Sequence, residues 1–289
     1  MAAKRRLGVA LVLDPPQACE VDGLRRALGD PGLGRIPPHL TLVPPVNVKA
    51  VALPAALSVL RRAAARQPGP LHLHLGPVRT FLPDNPVAYL DVGGDLQRLR
   101  ALRDAVFVAP LERKLSWPWV PHVTLADGID PERISAAVAA LGSYASLAVA
   151  DRVVLLEETA GRVWRPLADV DLGRPARVGT GGLPVELTSG RLPDPEVPAA
   201  PNPPAGLDRP LVVTARREGT PTGAAAAWLD RDGGHVEVRV LEGFRGQGIG
   251  SHLLAHVEAL ARLRGWTLPL SPASGPRGFY ASRGLLEGN

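Results

Sequence analysis

Hydrophobic positions follow two periods along the first 172 residues. Leu7 to Leu13 is an apolar run that stops at Asp14-Pro15-Pro16, as a buried strand ending in a turn does. Leu71-His72-Leu73-His74-Leu75 alternates strictly, which predicts a strand with one face in a core. Val87 to Val92, Val120 to Leu125, Arg152 to Glu157 and Arg162 to Val170 read as further strands. Helical spacing covers Val51 to Arg66 and Leu96 to Val108, where Leu96, Leu99 and Leu102 share a face. Pro131 to Leu141 predicts another helix, with Asp130 as its cap and proline in its first turn. Strands and helices do not alternate regularly, so the class is α+β rather than a doubly wound parallel sheet.

The pattern breaks at Ser189 to Pro210, where seven prolines (Pro193, Pro195, Pro198, Pro201, Pro203, Pro204, Pro210) exclude a helix or an inner strand. This stretch is expected to be an extended linker or a long surface loop. A softer Gly/Pro break lies at Gly173 to Gly182. Beyond the prolines, Leu211 to Arg216, Gly223 to Leu229 and His235 to Leu241 predict consecutive strands, the last two joined at Asp232-Gly233-Gly234. A Gly-rich turn leads into a helix over Ile249 to Arg264, followed by a strand at Trp266 to Leu270 and a short helix near Pro276 to Arg283. The expected organisation is a domain over 1–175, a linker over 176–210 that could hold a first strand, and a second domain over 211–289.

Composition narrows the class. A chain of 289 residues with 45% hydrophobic content suits two globular domains. No apolar run reaches the ~20 residues of a membrane-spanning helix. Lys4-Arg5-Arg6 before an apolar run is reminiscent of a signal peptide, but the run ends in Asp-Pro-Pro without a small-residue cleavage site, so it is read as a strand. Cys19 is the sole cysteine, which excludes an intramolecular disulfide and a Cys-rich zinc site and fits a reducing cytoplasm. Arginine supplies 30 of the 33 basic residues, and its guanidinium pairs with phosphate in a way that lysine cannot. The net charge of +5 is too small to argue affinity for nucleic acid.

Two near-copies carry the first candidate chemistry: Pro38-His39-Leu40-Thr41-Leu42, and Pro121-His122-Val123-Thr124-Leu125 83 residues later. In a strand, i and i+2 share a face, so each motif aims His and Thr one way and apolar neighbours the other. Two imidazoles facing one cleft suit in-line attack at a phosphodiester: one takes a proton from the nucleophile and the other protonates the leaving oxygen. Two threonine hydroxyls would hold the non-bridging oxygens. The tandem motif resembles the 2H phosphoesterase superfamily, which includes the bacterial 2′-5′ RNA ligase and cyclic phosphodiesterase proteins. That resemblance, over about 1–172, implies a bilobed fold with a pseudo-two-fold repeat and metal-independent chemistry on 2′,3′-cyclic phosphates or 2′-5′ linkages of RNA or nucleotides. By motif, His39 and His122 are the catalytic pair and Thr41 and Thr124 bind phosphate; which histidine is base stays open. His72 and His74, with no third ligand in view, are expected to face solvent or line the cleft. Arg35, Arg79, Trp117 and Trp119 are near the motifs, where packing and substrate contact are equally open.

The second constellation runs from Glu237 to Gly250. A Walker loop is excluded because the Gly-rich turn has no lysine, and a Rossmann loop because antiparallel strands precede glycines spaced by two. The remaining Arg-x-x-Gly-x-Gly pattern, together with Gly278-Phe279-Tyr280-Ala281-Ser282-Arg283-Gly284-Leu285, resembles the GNAT acetyltransferases. The resemblance implies a reduced α/β domain in which Arg245, Gly246, Gln247, Gly248, Ile249, Gly250 and Ser251 bind acetyl-CoA. It places Tyr280 as the acid for the leaving thiolate, with an unknown acyl acceptor. Glu237 and Glu242 are candidate bases, and His252 and His256 are expected on the solvent side of the helix. Three readings stay open: a bifunctional enzyme, a chain in which only one domain is catalytic, and an RNA-binding protein with both sites inactive.

Overall fold

A computed structural model describes residues 3–179 and 184–286; the predicted break at Gly173 to Gly182 lies partly outside them. The chain forms two compact units, one of residues 1–167 and 171–174 and the other of 168–170 and 175–289.

The first unit contains β1 (Lys4–Val12), α1 (Gln17–Leu28), β2 (His39–Lys49), α2 (Leu53–Ala65), β3 (Leu71–Thr80), β4 (Val87–Gly94), α3 (Leu96–Val106), β5 (His122–Asp127), α4 (Pro131–Ala140), β6 (Ser146–Ala150), β7 (Arg152–Thr159) and β8, whose span Val163–Asp171 also supplies the second unit's 168–170. The eight strands form one curled sheet in the order β6-β3-β4-β5-β2-β1-β7-β8. The order is balanced about its centre: the two His-x-Thr strands, β2 and β5, are neighbours with three strands on either side. Leu40 pairs with Val123 in an antiparallel register, and both are fully buried. α4 starts as the sequence predicts, with the Asp130 carboxylate accepting the Glu132 N–H at 2.7 Å and Pro131 in the first turn.

Helix α1 and strand β6 escape the periodicity. The buried positions of α1 are Val21, Arg25 and Leu28, so an arginine stands where the pattern needs a hydrophobe. The Arg25 guanidinium is 4% exposed, pairs with Asp22 and Asp30 at 2.9 Å, and donates to the carbonyls of Gly32 and Ile36 at 3.0 Å.

The second unit contains β9 (Ala176–Val178), β10 (Val185–Gly190), β11 (Leu211–Arg217), β12 (Thr220–Asp230), β13 (Gly233–Val240), α5 (Ile249–Leu263), β14 (Ser271–Ser274) and α6 (Arg277–Ala281). Its sheet runs β14-β13-β12-β11-β10-β9, antiparallel in its recorded pairs except for β13 with β14. The buried stripe of α5, including Ile249, Leu253, Val257 and Ala261, packs on alternate residues of β11, β12 and β13.

One expectation changes here. The strand predicted at Trp266 to Leu270 forms at Ser271–Ser274 instead; Trp266, Leu268 and Leu270 alternate because they pack against the core, and Pro269 has no N–H for a ladder. The Pro-rich stretch packs against its own unit. Val197 is 4% exposed, Asp194 and Glu196 pair with Arg216 of β11, and Leu207 covers Val212, Ala226 and Trp228. Proline has no donor to leave unpaired, so such a segment can cover a sheet face without joining its ladder.

Candidate functional sites

Strand alternation builds the first site. Leu40, Leu42, Val123 and Leu125 are buried on one face, while His39, Thr41, His122 and Thr124 are partly open on the other. The Leu40–Val123 pairing puts both motifs at the same height on adjacent strands. Each imidazole is held in the same way: Nδ1 of His39 contacts the Pro37 carbonyl at 2.8 Å, and Nδ1 of His122 contacts the Val120 carbonyl at 2.8 Å. A carbonyl only accepts, so Nδ1 carries the hydrogen and Nε2 is left to exchange protons.

The halves of this face differ. On the His39 side, Val12 lies opposite His39 and Ala10 opposite Thr41, and Ala10, Val154 and Leu156 are buried against Ile36 and Trp164. His39 is therefore desolvated, and burial first, then the charges of Arg25 and His122, push its pKa down from 6.5 to about 4 against the opposing effect of the Pro37 carbonyl. The His122 side is more open. Burial again lowers the pKa, and the Val120 carbonyl opposes it. Phe81 and Tyr89, stacked at 4.2 Å, meet the His122 ring edge-on at 5.2 and 5.3 Å.

The sequence reading did not find Phe81, Tyr89 or Arg25; Phe81 and Tyr89 carry no local signal, and Arg25 interrupts one. Trp119 donates its Nε1–H to the Thr41 carbonyl at 2.9 Å, tying the approach to the second motif onto the first. Trp117 is 68% exposed, and Arg35 uses its carbonyl to accept the Trp164 N–H. Arg79 lies 4.0 Å from Asp91, and His72 and His74 are exposed. Among the described residues no group of three or more His, Cys, Asp or Glu side chains could hold a metal.

The second site is a cavity of about 680 Å³ between β13, the Gly-rich turn and α6. Arg245, Gly246, Gly248, Ile249, Gly250 and Ser251 line it. Gly246 and Gly248 have φ of 75° and 78°, a left-handed conformation that glycine adopts without strain, and the turn delivers the first N–H groups of the 15-residue α5. Gln247 is not part of the wall; its side chain accepts from Arg217 at 2.7 Å and donates to the Gly243 carbonyl. Arg239, Phe244 and Arg283, outside the sequence-based set, do line the cavity, and Arg283 bonds Ser251 at the helix start while lying 4.2 Å over the Phe279 ring.

Phe279, not Tyr280, contributes to the wall. Tyr280 is 1% exposed in the core, and its hydroxyl accepts the Val238 N–H at 2.9 Å. Burial raises its pKa, so the phenol keeps its proton. Glu237 lines the cavity whereas Glu242 is exposed outside it. His252 and His256 are half-buried, and desolvation lowers the His256 pKa.

Comparison with known proteins agrees with this division. Residues 13–162 match the 2′-5′ RNA ligase superfamily, and residues 208–284 match the acetyltransferase (GNAT) domain. A Bacillus pumilus protein named “Putative phosphoesterase” is 32% identical over 106 residues, which are 37% of this chain and 61% of the relative. A Bacillus cytotoxicus protein of similar name is 30% identical over 121 residues, 42% of this chain and 69% of the relative. Among solved structures, Escherichia coli LigT in apo form aligns over 60% of this chain and 99% of its own at 19% identity with a TM-score of 0.42. The chain belongs to the 2′-5′ RNA ligase, or 2H phosphoesterase, superfamily through its first unit and carries a GNAT acetyltransferase domain in its second.

Proposed function

We propose that the first unit is a metal-independent phosphoesterase that opens 2′,3′-cyclic phosphates, or cleaves 2′-5′ linkages, of RNA or nucleotides. The observation that carries this reading is the matched imidazole pair on neighbouring strands, each with Nδ1 bound to a carbonyl two residues upstream. In hydrolysis of a cyclic phosphate, Nε2 of the more desolvated His39 takes a proton from water as the water oxygen bonds to phosphorus. Nε2–H of His122 then protonates the ribose oxygen as its bond to phosphorus breaks. Thr41 and Thr124 donate to the non-bridging oxygens, where charge gathers.

The second unit is proposed to bind acetyl-CoA and pass its acetyl group to an amine. The cavity fits: N–H groups at a helix start and the guanidiniums of Arg239, Arg245 and Arg283 suit a pyrophosphate. Acetyl-CoA supplies an activated thioester there. Glu237, on the cavity wall, would accept the amine's proton as nitrogen bonds to the acetyl carbon, and coenzyme A would leave as its thiolate; Tyr280, enclosed in the core, is a structural residue rather than the acid the resemblance implies.

The test is hydrolysis of a short RNA ending in a 2′,3′-cyclic phosphate, in EDTA, with wild type and with His39→Ala and His122→Ala. Each variant should lose about 10²–10⁴-fold in rate with the fold intact. An unchanged rate in either variant would sink the paired-histidine mechanism. Equilibrium binding of acetyl-CoA, followed by turnover of an amine, tests the second unit.

A further inference from the structure

The open half of the catalytic face extends well past His122. Strand register carries one face across the sheet: His122 pairs with Asp91 on β4 and Thr124 with Tyr89. Gly93, two residues from Asp91 and hence on the same face, pairs with His74 on β3. His74 and His72 in turn pair with Leu147 and Val149 on β6. Leu147 and Val149 are 69% and 51% exposed, and both histidines are exposed, while the opposite face of β3 is buried through Leu71, Leu73 and Leu75. The matching face on the His39 side is closed by Ile36 and Trp164. The catalytic pair thus sits at one end of an uncovered track that leads to the edge of the sheet.

We propose that this track, from His122 through Gly93 to His72, His74, Leu147 and Val149, holds the chain of a single-stranded RNA whose terminal phosphate reaches the catalytic pair. The inference rests on the phosphoesterase reading and adds that the substrate is an oligonucleotide with a defined path. Continuity with the site is the first argument: a mononucleotide would leave the whole of β3 and β6 unused. The second is residue type, because unstacked bases rest on imidazole, aromatic and apolar side chains: Phe81 and Tyr89 stand beside His122, and beyond the Asp91 carboxylate come His74, His72, Leu147 and Val149. The third is Gly93. A Cβ there would meet nothing closer than the His74 Cβ at 3.6 Å, so the missing side chain leaves a gap where the path crosses β4. A second copy of this chain paired along the edge is a poorer occupant, since β6 offers only five residues.

Three strand spacings of ~4.8 Å separate β5 from β6, or ~14 Å, the length of about four stacked nucleotides at ~3.4 Å each. The experiment measures kcat/KM for adenosine 2′,3′-cyclic phosphate and for oligoadenylates of two to eight residues ending in the same group. Wild type should gain about 10-fold or more from one residue to about four, and little beyond. Gly93→Glu, and separately the double variant His72→Ala/His74→Ala, should erase that gain and leave the mononucleotide rate unchanged. The proposal is overturned if kcat/KM is independent of length, or if Gly93→Glu lowers mononucleotide and octamer rates equally. It is also overturned if Leu147→Asp dissociates a dimer while the length dependence persists. Anisotropy of a labelled octaadenylate 3′-phosphate on wild type and Gly93→Glu reads the surface without turnover. Gly93-dependent binding with no hydrolysis would keep the track and refute the phosphoesterase reading; hydrolysis of the mononucleotide with Gly93-independent binding would do the reverse.

Discussion

Substituting His39 by glutamine should change how stability depends on pH. The imidazole lies on the covered half of the sheet face, and burial brings its pKa from 6.5 to about 4 in the folded chain. Between these values the unfolded chain holds a proton that the folded chain does not, so folding is penalised as the pH falls. The contribution is fully present above pH 6.5 and is lost progressively towards pH 4. At ~1.4 kcal/mol per unit, the whole span is about 3–4 kcal/mol, of which about 2 kcal/mol is gone by pH 5. Burial also lowers the His122 pKa, which adds to the loss in the same direction. His39→Gln keeps a similar size and a donor for the Pro37 carbonyl but cannot titrate. Hydrogen exchange in peptides from β2 and β5, at increasing urea and at pH 7 and pH 5, reads the first unit by itself. Carboxylates titrate in both proteins and cancel in the comparison. Wild type should lose about 2 kcal/mol more than His39→Gln between the two pH values. Equal losses would refute the claim that His39 is held neutral by burial.

Catalysis should follow the same shifts. The kcat/KM profile reports the free enzyme, so it should rise above about pH 4 as His39 becomes neutral and fall before pH 6.5 as His122 loses its proton; a plateau through pH 8 would contradict the assigned roles. Thr41→Val and Thr124→Val should each lower kcat by about 10²-fold with the fold retained, as measured with a cyclic phosphate substrate. Gly248→Val forces a β-branched residue to φ of 78°, at a strain of roughly 1–2 kcal/mol, and should abolish acetyl-CoA binding in calorimetry while phosphodiesterase activity stays unchanged. Tyr280→Phe removes the acceptor for the buried Val238 N–H and should destabilise the second unit by about 1–3 kcal/mol in urea unfolding; unchanged stability would show that this bond contributes nothing.

Physical reasons separate what was legible in the chain from what was not. The His-x-Thr repeats could be read because alternation on a strand is a property of adjacent residues: once Leu40 and Val123 are buried, His39, Thr41, His122 and Thr124 must face the other way. The Gly-rich turn and the Asp130 cap are local in the same sense, since a left-handed φ or an unpaired N–H selects its own residue. Only the tertiary structure decided that β2 and β5 are neighbours, because that pairing joins segments 83 residues apart and depends on how the whole core is buried. It also decided which half of the His-x-Thr face is covered, and so why His39 is the more desolvated imidazole. The same holds for Arg25, whose place among buried residues comes from partners in the following loop, and for Tyr280, whose hydroxyl faces a backbone N–H supplied by a strand 42 residues earlier. Sequence periodicity specifies which way a side chain points on its own strand or helix; what it then meets is set by segments that only folding brings near.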